Sequence, residues 1–275
     1  MRVIAKIFII LTALSLVCLV FTHVLTSTVT NDVVLSKQLS SAGVYELGAK
    51  SLQDSVRESL KAANVTGGVT DEILATSITS TSVSSAAQPL VKEFSQWIVA
   101  ESGSLNLVLD LTGIKSQIVR EAKLKGSIET SFVATREVPD ELRLLPKGDT
   151  KNNYSGLQQA YKQASAALPI LLVMALGGIA LLVLLALRLP HKRMAWPGWA
   201  LVAAAVTGII IVYSAPVFLS ATVFNNASNG VDINRVGIGL VRGLLDDSRV
   251  YWYGLAAVGA GLIAVSMPLA RRYKK

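Results

Sequence analysis

Four long stretches of this 275-residue chain contain no Asp, Glu, Lys or Arg, and they constrain its fold more than any other feature. They run from 19 to 25 residues and are rich in Leu, Ile, Val and Ala: 7–25, 167–187, 200–224 and 250–270. About 20 apolar residues, each rising about 1.5 Å in a helix, cross a hydrocarbon core of about 30 Å. The sequence therefore predicts four transmembrane helices, within residues 1–25, 167–187, 200–224 and 250–270.

The distribution of the remaining charges predicts the orientation. The segments 1–6, 188–199 and 271–275 together hold nine basic residues and no acidic one. Residues 26–166 hold 14 basic and 15 acidic residues, and 225–249 hold three of each. Because Lys and Arg in short loops stay on the cytoplasmic side, we expect a multi-pass plasma-membrane protein with both termini, the 188–199 loop and the 271–275 tail in the cytoplasm. The formal charge of +8 then reflects topology and suits membrane lipids with anionic headgroups, so nucleic acid is not expected as a partner.

The first apolar stretch is longer than the apolar part of a secretory signal peptide, so we expect an uncleaved anchor. Its Cys18 is the only cysteine, and the segments predicted to lie outside therefore have no disulfides. An extracytoplasmic domain without disulfides favours a bacterial origin. The N-glycosylation tripeptides that begin at Asn64, Asn153 and Asn226 argue against a bacterial origin, but such tripeptides arise easily by chance.

Residues 26–166 are long enough to form one extracytoplasmic domain, and most of it has a helical pattern. Apolar residues recur at steps of three or four from Tyr45 to Leu60, which predicts an amphipathic helix. Thr70 is a plausible N-cap of a second helix, and Pro89 is expected to end that helix and open another that carries Trp97.

Two segments of this domain alternate with period two and predict strands. The first is 104–111, with Leu at every second position, and the second is 128–134, in which Ile128, Thr130, Phe132 and Ala134 alternate with other residues. A short helix is expected between them, near Ile114 and Ile118. Residues 135–156 are predicted to be a loop, and from Gly156 a helix is expected to continue into the second span. The predicted fold class is a mainly α membrane protein, with four transmembrane helices and an extracytoplasmic helical domain that contains a short two-stranded β element.

The segment 225–249 between the last two spans predicts an amphipathic extracytoplasmic loop helix, because apolar residues alternate with Asp and Arg. Two arrangements remain open: packing against the extracytoplasmic domain or lying on the outer bilayer face. The first is favoured because the polar side of a helix on a lipid surface is usually more basic.

No catalytic, cofactor-binding or metal-binding residue is predicted, and we expect a protein that is not an enzyme. The two histidines, His23 and His191, are predicted on opposite sides of the membrane, so they cannot share a site. The adjacent carboxylates Asp140–Glu141 and Asp246–Asp247 are interpreted as solvated residues. Apart from His23 the spans contain no ionisable group of the kind that marks ion pathways.

Aromatic residues stand at both ends of the predicted spans. Trp196 and Trp199 precede the third span, and Tyr251, Trp252 and Tyr253 begin the fourth. Such residues are typical of the aromatic belts at membrane surfaces.

The order of these features resembles uncharacterised bacterial four-span envelope proteins. The resemblance rests on the first span, the helix with Phe94 and Trp97, the Leu-rich 104–111 segment, the basic hairpin 188–193 and the amphipathic 225–249 loop. It implies no activity. Because the sequence offers no catalytic motif and only 26–166 and 225–249 are large enough to present a specific surface, we expect an integral membrane protein of the cell envelope that displays a partner-binding extracytoplasmic domain, with another envelope protein as the partner.

A second resemblance is one of topology alone. Cell-division and macrolide-exporter-type ABC permeases also place a large outer domain between spans 1 and 2, and this implies a permease-like subunit that works with a separate ATPase. Those permeases contact the ATPase through a sizeable cytoplasmic segment between spans 2 and 3. Here that segment, 188–198, is 11 residues long, which is short for such a contact.

Overall fold

A computed structural model describes residues 2–100, 105, 107–143, 155–187, 192–222 and 233–272. Within these ranges the chain is mostly helical, with ten helices and two strands in this order: α1 (Arg2–Thr30), α2 (Asp32–Ser41), α3 (Val44–Ala62), α4 (Gly68–Ser77), α5 (Ser80–Val99), β1 (Val108–Asp110), α6 (Thr112–Leu124), α7 (Ile128–Glu137), β2 (Glu141–Arg143), α8 (Ser155–Leu185), α9 (Lys192–Thr222) and α10 (Ile233–Arg272).

The chain forms two compact units. The span unit comprises Met1–Ser27, Ala160–Val223 and Val241–Lys275, and the helical unit comprises Thr28–Gln159 and Phe224–Leu240. Four helices of the described part are long and apolar enough to cross a membrane, namely Val3–Thr30, Gly156–Leu185, Lys192–Ala215 and Ile238–Pro268. They cover the first charge-free stretch fully; the second and fourth stretches each continue two residues beyond their helix, and the third continues nine.

Trp252 occupies the core of the span unit. The residue is fully buried, its indole N–H donates to Ser248 Oγ at 2.9 Å, and its ring lies 5.2 Å from that of Phe21. A Cβ on Gly208 would overlap the indole ring atoms, so only glycine, which has no side chain, fits at this position. The expected belt position of Trp252 is therefore wrong, because a ring buried against two other helices does not face lipid headgroups.

The helical unit is built around one core in which α3 packs on α4, α5 and α7, while α6 packs on α4 and α7. The predicted amphipathic helix is confirmed as α3, whose buried residues include Tyr45, Ala49, Val56 and Leu60. The helix predicted near Ile114 and Ile118 is confirmed as α6, and both side chains are buried. Trp97 is also buried, with 7% of its surface exposed.

The small sheet pairs β1 with β2 in antiparallel register, with Leu109 opposite Leu142. Only the end of the predicted 104–111 strand forms β1; residues 101–104 and 106 lie outside the described part. Its partner is β2, at residues that the sequence assigned to a loop. Leu105, Leu109 and Leu111 are buried as the alternation predicts, so the burial pattern extends beyond the paired residues.

The predicted second strand, 128–134, is wrong, because these residues form helix α7. Thr130, Ser131 and Ala134 make up its buried face, whereas Ile128 and Phe132 are exposed. Small side chains on the inner face allow α7 to pack closely on α6. Ile128 and Phe132 are four residues apart, so they share a face in a strand and also in a helix. The contact of this segment with α6 decides in favour of the helix.

Two predicted helix boundaries also change. Gly67 is the N-cap of α4, with φ of 144°, so the helix begins before Thr70, which is a buried residue of its first turn. Pro89 lies inside α5 and does not end it. Pro89 and Ser85 are both exposed, so the proline, which leaves the carbonyl of Ser85 without an N–H donor, lies on the solvent-facing side of the helix.

The predicted loop helix in 225–249 is not separate from the fourth span, since α10 runs without interruption from Ile233 to Arg272. No proline interrupts the sequence between Ile233 and Val250, so nothing ends the helix there. Near its start, a Cβ on Gly239 would lie 2.7 Å from Ala42 Cα. Gly239 thus lies against α2–α3 within the helical unit, whereas the residues from Val241 onward belong to the span unit. The helix expected from Gly156 into the second span is confirmed as α8.

Candidate partner-binding surface

Three large apolar side chains lie exposed around the turn between α6 and α7. Leu124 is 74% exposed, Ile128 79% and Phe132 67%. We name this surface, defined by Leu124, Ile128 and Phe132, the α6–α7 corner. Single exposed apolar residues are common on proteins, but clusters of them mark interaction sites.

The turn itself holds the corner in place. Gly126 has a left-handed φ of 71° and donates its N–H to the carbonyl of Lys123 at 3.1 Å, and the N–H of Ser127 donates to the carbonyl of Ala122 at 2.8 Å. This is the glycine-dependent closure that ends many helices. The hydroxyls of Ser127 and Thr130 then hydrogen bond at 2.6 Å, which ties the turn to the start of α7.

Helix α4 flanks the corner. Thr70 Oγ1 lies 3.5 Å from Thr130 Oγ1, and the ammonium of Lys125 lies 2.5 Å from the carboxylate of Glu72. Val69, at the start of α4, is itself 49% exposed. Polar contacts with α4 thus hold the corner in place. Within the described part of the chain, no other residues bury its three apolar side chains.

A polar cleft of about 480 Å³ lies between the first half of α5 and the β1–α6 junction. Asp110 lines it and accepts hydrogen bonds from the hydroxyl of Thr112 at 2.6 Å and from its backbone N–H at 2.9 Å. These two bonds, the side-chain one first, lower the pKa of Asp110 below its ordinary value. The carboxylate is therefore held in its charged form and serves to start α6.

The other residues considered from the sequence are dispersed. Asp140 accepts from Lys115 at 2.8 Å, and Asp246 pairs with Arg249 at 2.7 Å. His23 packs edge-on against Tyr251 at 5.8 Å, Cys18 is an exposed free thiol, and His191 lies outside the described residues. Within the described residues no three His, Cys, Asp or Glu side chains are grouped so that they could hold a metal ion.

Sequence reasoning missed the α6–α7 corner because it placed 128–134 in a strand. The sequence does contain a signal for this surface: Leu124, Ile128 and Phe132 follow one another at four-residue steps. In a helix, residues at this spacing lie on the same side. In comparisons with known proteins, no family model, no curated protein and no solved structure matches the chain.

Proposed function

We propose that this protein is an integral membrane protein of the cell envelope that displays its helical unit outside the membrane and binds another envelope protein through the α6–α7 corner. The observation that carries the proposal is the exposure of Leu124, Ile128 and Phe132 on a surface whose supporting residues are buried and hydrogen bonded. A cluster of this kind is costly to leave in water, and a protein partner would cover it.

The membrane part of the proposal rests on two independent features. Four helices have the length and apolar composition of spans, and the segments 1–6, 188–199 and 271–275 hold nine basic residues and no acidic one. If those segments are cytoplasmic, the helical unit lies outside.

The corner also indicates the chemistry of the partner. Ile128, Phe132 and Arg136 follow one another at four-residue steps on α7 and share a face, and Arg136 has 77% of its side chain exposed. Lys123, next to Leu124, is exposed as well. Arg136 is paired with Glu137 at 3.6 Å, so the partner chemistry is set by the two apolar anchors, which fit an apolar groove.

Site-specific photo-crosslinking in cells tests this proposal. A photoreactive residue at position 132 should give one discrete protein adduct, and the same residue at Lys61, an exposed position of α3, serves as the matched control. The double variant Ile128→Glu/Phe132→Glu should leave expression unchanged and abolish the phenotype of the protein. Adducts that are the same at both positions, or adducts to lipid alone, would refute a protein partner at the corner.

The permease-like alternative gains no support from the helix ends. Helix α8 ends at Leu185 and α9 begins at Lys192, so the interval between them is too short for a helix that would contact an ATPase. An ATPase that co-purifies with the chain and is stimulated by it would bring this alternative to first place.

A further inference from the structure

Two cations lie together where α8 ends and α9 begins, within the span unit. Arg193 donates a hydrogen bond through Nη2 to the carbonyl of Leu187, just beyond the end of α8. The ammonium of Lys192 lies 5.6 Å from the centre of the Trp196 ring. The first contact holds the guanidinium at the end of α8, and the second holds the ammonium beside the first turn of α9.

Neither cation has a carboxylate partner in the described part of the chain. Residues 150–231 contain no Asp or Glu, and among the described residues Lys192 and Arg193 form no ion pair. In the helical unit, by contrast, Lys115 and Lys125 each pair with a carboxylate. The bond to the α8 carbonyl uses one N–H of the Arg193 guanidinium, so the other donors are left for an anion.

An exposed apolar stripe continues from these cations along α9. Lys192 and Trp196 are four residues apart, and the members of the stripe follow at steps of three, seven, four and three residues, so all of them share one side of the helix. The stripe consists of Trp199, Val206, Ile210 and Tyr213, which are 50–58% exposed. From Trp199 to Ile210 the helix rises about 16 Å, which is close to half of a hydrocarbon core of about 30 Å.

We propose that Lys192 and Arg193 bind the phosphate of an anionic phospholipid, and that an acyl chain of this lipid lies along the α9 stripe. The phosphate accepts charge-assisted hydrogen bonds from the ammonium of Lys192 and from the remaining donors of Arg193. The ring of Trp199 contacts the lipid at the level where its headgroup meets its chains, a position that suits an indole.

The uncompensated charge selects an anionic lipid over a zwitterionic one. A phosphocholine headgroup carries its own cation, which the two basic residues repel, whereas phosphatidylglycerol presents a phosphate with no cation beside it. The apolar stripe selects a lipid over a free phosphate, since only a lipid covers both the cations and the stripe. This inference depends on the span unit lying in a bilayer and not on a partner at the α6–α7 corner, so the two proposals fail separately.

Native mass spectrometry of the detergent-solubilised full chain tests the lipid class. With equal amounts of phosphatidylglycerol and phosphatidylcholine, the adduct with one phosphatidylglycerol should exceed the phosphatidylcholine adduct at least about fivefold. Excess glycerol 3-phosphate, which has no acyl chain, should not displace the bound lipid. Equal adducts of the two lipids would overturn the proposal, and displacement by glycerol 3-phosphate would show a site for free phosphate and overturn it as well.

Variants test the two cations. Lys192→Gln and Arg193→Gln should each lower the ratio of phosphatidylglycerol to phosphatidylcholine adducts at least about threefold. Arg193→Gln also frees the carbonyl of Leu187, so Lys192→Gln, which leaves that bond in place, is the decisive variant. Lys162→Gln is the matched control, because it removes the same charge from an exposed position in the first half of α8. An unchanged ratio in Lys192→Gln, or an equal fall in Lys162→Gln, would overturn the proposal.

Discussion

At the scale of single residues, Trp252 and Gly208 form a matched pair in the span unit. The indole fills the space that glycine leaves, and its N–H begins a chain of hydrogen bonds that continues from the Ser248 hydroxyl to the carbonyl of Leu245 at 2.6 Å. A tryptophan with a satisfied N–H contributes large apolar burial without an unpaired donor. The fit therefore depends on the volume at position 208.

Gly208→Ala should lower the free energy of unfolding by about 1–3 kcal/mol, because the added methyl group forces the buried ring to move. Gly177→Ala and Gly261→Ala are the controls: both glycines lie in charge-free stretches, and a Cβ at either meets nothing within 4 Å. Thermal unfolding in detergent measures the effect. Equal melting temperatures for all three variants would contradict the packing described for Trp252.

Trp97 offers a second test of a buried aromatic residue, this time in the helical unit. Its ring is buried and lies 5.9 Å from that of Phe94, and its carbonyl accepts from Gln158 at 2.7 Å. Trp97→Ala should cost about 3–5 kcal/mol, as for other buried aromatic residues. Denaturant unfolding of the full chain measures this cost, and a loss below about 1 kcal/mol would point to a surface role for the ring.

Asp110 makes the stability of the helical unit depend on pH. Its hydrogen bonds to Thr112 lower its pKa in the folded protein. Its contribution to stability is therefore present above the unfolded pKa of about 3.9 and is lost as the pH falls through the folded value. Between about pH 5 and about pH 2, the melting temperature of Asp110→Asn should fall less than that of the wild type. Parallel pH profiles for the two proteins would refute this role.

At the scale of elements, the proline inside α5 is the clearest local conflict. Pro89 removes the hydrogen bond to the carbonyl of Ser85, but it lies on the exposed face and contributes little packing. Pro89→Ala should therefore raise the free energy of unfolding, by up to about 3 kcal/mol.

Chemical denaturation of the full chain provides the measurement for Pro89→Ala. Gln88→Ala, at the exposed position that precedes the proline, is the matched control and should change stability by less than about 0.5 kcal/mol. A loss of stability in Pro89→Ala would show that the proline ring makes packing contacts that its exposure does not indicate.

At the scale of the whole molecule, topology is the property on which the proposed function depends. The segments 1–6, 188–199 and 271–275 contain basic residues and no acidic ones, whereas 26–166 and 225–249 contain both. Reporter fusions after residues 100 and 235 should therefore report the outside, and fusions after residues 192 and 275 should report the cytoplasm. A cytoplasmic signal after residue 100 would place the helical unit inside and would end the proposal of an envelope partner.

The sequence by itself determined the features that depend on composition and on one strong period. Four charge-free stretches became four long apolar helices, and the repeat from Tyr45 to Leu60 became α3. In each case the helix is the one structure that fits the pattern. It buries the apolar side chains on a shared face, and in a long apolar run it satisfies the backbone polar groups by hydrogen bonds within the run.

Only the tertiary structure decided the features in which a local pattern allowed two answers. The segment 128–134 has both a strand and a helix period, and packing on α6 selects the helix and leaves Ile128 and Phe132 exposed. Trp252 suits either a membrane surface or a core, and the absence of a side chain at Gly208 creates the space that buries it. Periodicity reports which residues share a face, but whether that face is buried depends on a neighbouring element that is distant in sequence.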